Sequence, residues 1–174
     1  VDPLEWPARF VVPGDSIHAY AWIARGMRMQ LEEYVVWHPQ RERLDEPFPL
    51  QAVVIAGSLA SAYDREPWIR ALSRHIQDWA ERSVPMLGIC FGHQLIAQAL
   101  GGRVETNPFG WELGYHQISL TEAGQADWFY SGSPKSFPAL QSHRDAVIAM
   151  PPGAVCLAGS DQCAIQSFAI GERI

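Results

Sequence analysis

Long apolar runs, lysine and cysteine are all scarce in these 174 residues, and each scarcity closes off a class of function. The longest apolar stretches, such as residues 52–56, fall far short of the roughly 20 residues that a membrane-spanning helix needs, so no segment is expected to cross a bilayer. Basic residues are outnumbered, 13 Lys+Arg against 19 Asp+Glu, and a net charge of -6 has the wrong sign for a phosphate backbone or an anionic lipid surface. Neither nucleic acid nor membrane is expected as a partner. The single lysine, Lys135, is a bias of composition without a functional reading. Cysteine is sparse and odd in number (Cys90, Cys156 and Cys163), which argues against a disulfide scaffold and for a reducing, cytoplasmic compartment. Cys156 and Cys163 have no companion ligands at zinc spacing, and His18, His38, His75 and His116 are scattered, so no metal site is expected.

What is present is apolar material, 48% of the chain, enough for one substantial core and a single domain over residues 1–174. The positions Ile17, Tyr20, Ala21, Ala24 and Met27 have helical spacing after a Gly14-Asp15-Ser16 start, and 31–37 reads as a strand. Residues 40–46 read as a charged loop. The near-continuous apolar run 51–56 predicts a strand buried on both faces, as in a parallel sheet. Pro67 suits a first helical position, and Trp68, Ile69, Leu72, Ile76, Trp79 and Ala80 then recur at three and four residues, predicting an amphipathic helix. A short strand over 84–89 leads into Cys90-Phe91-Gly92 and a helix over 93–100 closed by Gly101 and Gly102. Alternation at 116–120, 146–150 and 164–170 predicts further strands, so the second half is more β than α. Gly171-Glu172-Arg173 reads as a hairpin turn whose returning arm holds only Ile174, and the opening residue is Val1 rather than Met. The expectation is a domain incomplete at its C-terminus and open to question at its N-terminus. The pattern as a whole predicts an α/β layer structure.

The sharpest chemical signal is Gly88-Ile89-Cys90-Phe91-Gly92, a G-x-C-x-G between a buried strand and a helix, the setting of a nucleophile elbow. Glycines permit the strained turn, so the Cys90 side chain projects while its peptide sits at a helix N-terminus, where negative charge and hence thiolate is favoured. The amide of Phe91 then points where an oxyanion develops, with a second donor available from the Gly57-Ser58 loop. On its own, an isolated cysteine beside turn glycines is more often a small buried hydrophobe. A G-x-C-x-G alone also fits a cysteine hydrolase of the α/β-hydrolase type.

The whole segment 88–102, GICFGHQLIAQALGG, closely resembles the nucleophile segment of class I (triad-type) glutamine amidotransferases. Residues 56–64 with Pro67-Trp68-Ile69, then 107–114 (NPFGWELG) and 141–147 (QSHRDAV), resemble stand-alone members similar to the amidotransferase domain of GMP synthase. This resemblance, running from about residue 51 to the end, implies a flavodoxin-like three-layer α/β sandwich with a mainly parallel central sheet. It implies hydrolysis of the γ-glutamyl amide of glutamine, or of a γ-glutamyl conjugate, through a Cys90 thioester, with ammonia released for a synthetase partner and with no cofactor. By the same carry-over, Gly57 and Phe91 supply the oxyanion-hole amides, and Gln94, Ser142 and His143 hold the substrate. The family's His and Glu, in a Phe-His-Pro-Glu motif after the terminal hairpin, have no counterpart in these residues. The expectation is that the natural protein continues through that motif; the alternative is an inactive binding or regulatory protein that keeps the fold. No ATP-pyrophosphatase domain or P-loop-like motif follows, which argues against GMP synthesis by this chain.

Other candidates read more plainly. His93 and His143, the latter with Asp145 two residues on, are the remaining histidines within reach of a base role, but packing and substrate contact are the favoured readings. Asp64 is expected to cap the helix that begins near Pro67. Trp111, Glu112 and Gly114 sit in a glycine-rich loop able to line a pocket. Cys156 and Cys163 are expected to be buried thiols.

Overall fold

The computed structural model describes residues 8–11, 34–41 and 50–174. The helix expected over 17–27, its capping residues and most of the charged loop lie outside the described residues. The chain falls into two compact units, residues 1–96 with Arg173, and residues 97–172 with Ile174.

In the first unit, β1 (Ala8–Val11), β2 (Tyr34–Trp37), β3 (Val53–Ile55) and β4 (Met86–Gly88) form one sheet in the order β2-β1-β3-β4, parallel at every junction. β3 is buried at all three residues, as its unbroken apolar run requires of an inner strand of a parallel sheet. Between β3 and β4 runs α1 (Pro67–Glu81), with Pro67 at its start and Ile69, Leu72, Ile76 and Trp79 buried. Those four recur at three and four residues, one stripe of a 3.6-residue helix, while Arg70, Arg74, Asp78 and Glu81 stay in solvent. His75 stacks on Trp79 at 5.5 Å between centroids and meets Trp37 edge-on at 5.8 Å, a packing role. Asp64 does not cap α1. Its carboxylate accepts from the Ser61 N–H at 2.9 Å and closes the preceding turn, whereas the residue at the helix N-cap, Glu66, makes no side-chain capping bond. After β4 comes α2 (Phe91–Ala99).

The second unit is mostly β. β5 (Arg103–Thr106) and β8 (Asp145–Ala149) form an antiparallel pair. β6 (Glu112–Leu120), β7 (Ser136–His143), β9 (Ala154–Gly159) and β10 (Ser167–Ile170) form a second sheet in the order β10-β9-β6-β7, also antiparallel. Ile118, Leu120 and Ala158 make its apolar cluster, with Tyr130, Phe137 and Ala139 packed against it. A short helix, α3 (Glu122–Ala126), is capped by the Thr121 hydroxyl accepting from the Gly124 N–H at 3.0 Å.

The expectation of a mainly parallel sheet thus holds for the four strands of the first unit alone. All six described strands of the second unit pair antiparallel, and successive partners such as β9 and β10 are joined by a loop that reverses the chain directly, without the crossover that parallel neighbours need.

Candidate active site

Cys90 stands at the hinge from β4 to α2, exposed, and it is one of two described non-glycine residues with positive φ, at 54°. A left-handed conformation is costly for a residue with a side chain and persists only where the surroundings enforce it. Here the Ile89 N–H donates to Ile55 O at 2.9 Å, tying the turn to β3. The Gly92 N–H donates to Ile89 O at 3.0 Å and the Gln94 N–H to Cys90 O at 3.0 Å, starting the helix at once.

Both flanking glycines are required by close approach. A Cβ on Gly88 would lie 2.5 Å from the Gly92 carbonyl carbon and the His93 nitrogen, and one on Gly92 would fall onto the Ile55 carbonyl oxygen. Gly57, just beyond β3, lies against the cysteine, since a Cβ built there would be 3.6 Å from Cys90 Cβ and 4.0 Å from its Sγ. Phe91 buries its ring completely, 5.5 Å from Trp68, while its N–H, as the first of α2, has no intrahelical acceptor. Gln94 follows one turn on from Cys90, with its side chain buried. Cys90, Gly57, Phe91 and Gln94 therefore gather at one place in the first unit.

Ser142 and His143 belong to the second unit, at the end of β7. Successive residues of a strand face opposite sides, and the pattern there alternates, Ser142 exposed and His143 half-buried. Their two side chains therefore leave β7 on opposite faces. His143 is clamped from two directions: its Nδ1 lies 3.1 Å from the backbone oxygen of Asp145, not its carboxylate, and its Nε2 lies 3.0 Å from Glu112 Oε2. The second approach is an ion-pair distance without the alignment of a hydrogen bond.

Glu112 is where the pocket-lining expectation fails. It is fully buried, while its neighbour Trp111 is exposed. Its Oε1 accepts from the Ser160 hydroxyl at 2.5 Å, its Oε2 from the Gln166 amide at 2.6 Å, and His116 Nδ1 stands 3.7 Å from Oε1. Nothing in the sequence connects Ser160 or Gln166 to this carboxylate. They lie 48 and 54 residues away in the chain, and no local pattern announces them.

Cys163 is buried as expected, and burial pushes its thiol up to about 11. The Ile165 backbone bond opposes this, and the nearby Glu112 and Cys156 add to it. Cys156 is half-buried, its thiol raised above the ordinary range by burial. Among the described residues no group of three or more His, Cys, Asp or Glu side chains is arranged to hold a metal ion, and no helix is long and apolar enough to cross a membrane.

A sequence model of the family described as glutamine amidotransferase class-I matches residues 14–172. Gamma-glutamyl peptidase 5 of Arabidopsis thaliana is 32% identical over 123 residues, covering 70% of this chain and 49% of that protein. A glutamine-hydrolysing GMP synthase component from Halobacterium salinarum is 33% identical over 99 residues, 57% of this chain and 52% of that one. The chain thus spans about half the length of these curated relatives. Among solved structures, a glutamine amidotransferase from Thermotoga maritima superposes with a TM-score of 0.79 at 22% identity, over 95% of this chain and 72% of its own.

Proposed function

Because the chain belongs to the class-I glutamine amidotransferase family, we propose that Cys90 is the nucleophile of an amidohydrolase acting on the γ-glutamyl amide of glutamine or of a γ-glutamyl conjugate. The observation that carries this reading is the enforced left-handed turn at Cys90, an exposed thiol held between two glycines that tolerate no side chain, with Gly57 against it. A positive φ at a cysteine has no role in packing that a glycine would not serve better.

In the proposed reaction the Cys90 sulfur forms a bond to the amide carbon while the carbonyl oxygen becomes an oxyanion, met by the amides of Phe91 and Gly57. The carbon–nitrogen bond breaks, and the nitrogen takes up a proton to leave as ammonia or as the amine of a conjugate. Water then adds to the thioester, releasing glutamate and restoring the thiol. A base must take the thiol proton and return it to the nitrogen. His143 is not given that role, since one ring nitrogen faces the Asp145 carbonyl and the other Glu112. The buried Gln94 is assigned to holding the glutamyl part of the substrate. Release of ammonia fits a synthetase partner, as the name of the Halobacterium relative suggests, and release of an amine fits the name of the Arabidopsis one.

The test is to incubate the full-length gene product with 6-diazo-5-oxo-norleucine and locate the adduct by peptide mass spectrometry. Labelling is expected on Cys90 and not on Cys156 or Cys163, and Cys90→Ala should take up none. A folded protein that takes no label at Cys90 would instead be the binding or regulatory member of the family.

A further inference from the structure

We propose that Leu59, Tyr63 and Ile89 form an apolar rim that receives the leaving group, so that this site prefers γ-glutamyl conjugates whose amine carries an apolar side chain. The inference rests on the reading above, in which Cys90 is the nucleophile. β3 and β4 are parallel neighbours with Ile55 beside Gly88, so the loops that follow them leave the same edge of the sheet. That edge, at the carboxyl ends of parallel strands, is where open α/β sheets bind their ligands. Among the described residues of the first unit, the large apolar side chains exposed to solvent are Leu59, at 92%, with Tyr63 and Ile89, and all three belong to those two loops. Ile89 adjoins Cys90 in the chain, and Leu59 comes two residues after Gly57, which lies against the cysteine.

Leu59 is held out by the fold of its own loop. Ala56 and Ala62 are buried on either side of it, and between them the Ser58 hydroxyl accepts from the Ala60 N–H at 3.1 Å. The Asp64 carboxylate then accepts from the Ser61 N–H at 2.9 Å, and the Asp64 N–H donates to the Ser61 carbonyl at 3.0 Å. Turn positions of this kind are ordinarily polar. A single exposed leucine needs no explanation, but three apolar side chains on the edge that carries the nucleophile, in a unit whose other described large apolar residues are wholly or partly covered, mark a binding surface. The chemistry names its occupant. The carbon attacked by the Cys90 sulfur carries an oxygen, assigned to the amides of Phe91 and Gly57, a methylene of the glutamyl chain, assigned to the buried Gln94, and the leaving nitrogen. The first two are taken up by the protein, which leaves the nitrogen on the open side of the exposed thiol, with the rim. Ammonia has nothing to set against apolar side chains, whereas an amino acid with an apolar side chain covers them. Three side chains, two of them only partly exposed, present far less than the ~800 Å² that each partner contributes to a standard protein complex, and suit a ligand the size of one residue.

The test measures kcat/KM of the full-length protein for γ-glutamylleucine and γ-glutamylglycine, which share the bond to be broken and differ in the leaving side chain, with labelling of Cys90 by 6-diazo-5-oxo-norleucine scored in parallel. The leucine conjugate is expected to be preferred about tenfold, and Leu59→Ser to cut that preference to about threefold. Val155→Ser, which removes an exposed apolar side chain from the second unit, is expected to leave the ratio as it is. Four results overturn the inference and leave the function standing: equal kcat/KM for the two dipeptides, labelling without hydrolysis of either, a preference untouched by Leu59→Ser, or one that Val155→Ser lowers as much. The rim would then be assigned to a protein partner. A folded protein that takes no label at Cys90 ends the functional reading, and this inference with it.

Discussion

Cys163 shows how far one residue's surroundings set its chemistry. Burial pushes its thiol from the ordinary 9.0 up to about 11, so between those values the unfolded chain sheds a proton that the folded protein keeps. Where the folded state binds more protons, stability falls as pH rises. The contribution is therefore intact below pH 9 and is progressively lost between 9 and about 11. Urea midpoints measured at pH 8 and pH 10 should drop more steeply for the parent protein than for Cys163→Ala. Equal drops would mean that the buried thiol is not the titrating group. Of the three cysteines, the exposed Cys90 was also the one the sequence singled out, because its flanking glycines carry the signal locally. The environment of Glu112 was not legible, since Ser160 and Gln166 come from the β9–β10 loop about fifty residues on, and a glutamate after a tryptophan in a glycine-rich loop reads as pocket lining rather than core.

The turn at 88–92 works at the scale of an element, because Gly88 lets β4 meet the start of α2, and Gly92 lets α2 meet β3, more closely than any side chain allows. Gly92→Ala would push a methyl group onto the Ile55 carbonyl and displace the helix start from β3. A loss of about 1–3 kcal/mol is expected from such overpacking, read from denaturant unfolding. An unchanged midpoint would show that the helix start yields without strain. Elements whose signal lies in their own residues were legible: β3 from its apolar run, α1 from its stripe and Pro67, α2 from the turn before it and the two glycines after it. Gly101, at a φ of 97°, and the Gly102 N–H bonded to Ala97 O at 2.8 Å close that helix where the sequence placed its end. Elements whose signal lies in their neighbours were missed. β5 has a single buried residue, Val104, and nothing in Arg-Val-Glu-Thr stands out as a strand. β7 contains Pro138, which argues against a strand by sequence, yet β7 is at an edge of its sheet, where a missing N–H is tolerated. β1 is a four-residue piece fixed by its pairing with β2 and β3.

At the scale of the molecule the family is settled by the match over residues 14–172, and this sets aside the α/β-hydrolase alternative that G-x-C-x-G alone left open. The substrate is a separate matter, because relatives of comparable identity carry names that imply different leaving groups, a peptide amine in one and ammonia in the other. The proposed γ-glutamyl thioester on Cys90 is common to both readings, and it is testable before the leaving group is known. Hydroxylamine added during turnover competes with water for the thioester and diverts product from glutamate to γ-glutamyl hydroxamate. If the thioester lies on the path, glutamine and a γ-glutamyl dipeptide should give the same ratio of hydroxamate to glutamate, because both pass through one intermediate that has already lost its leaving group. Cys90→Ala should form neither product. Hydrolysis without any hydroxamate would mean that water attacks the amide directly. A ratio that differs between the two substrates would mean that the leaving amine is still bound when the acyl group is transferred.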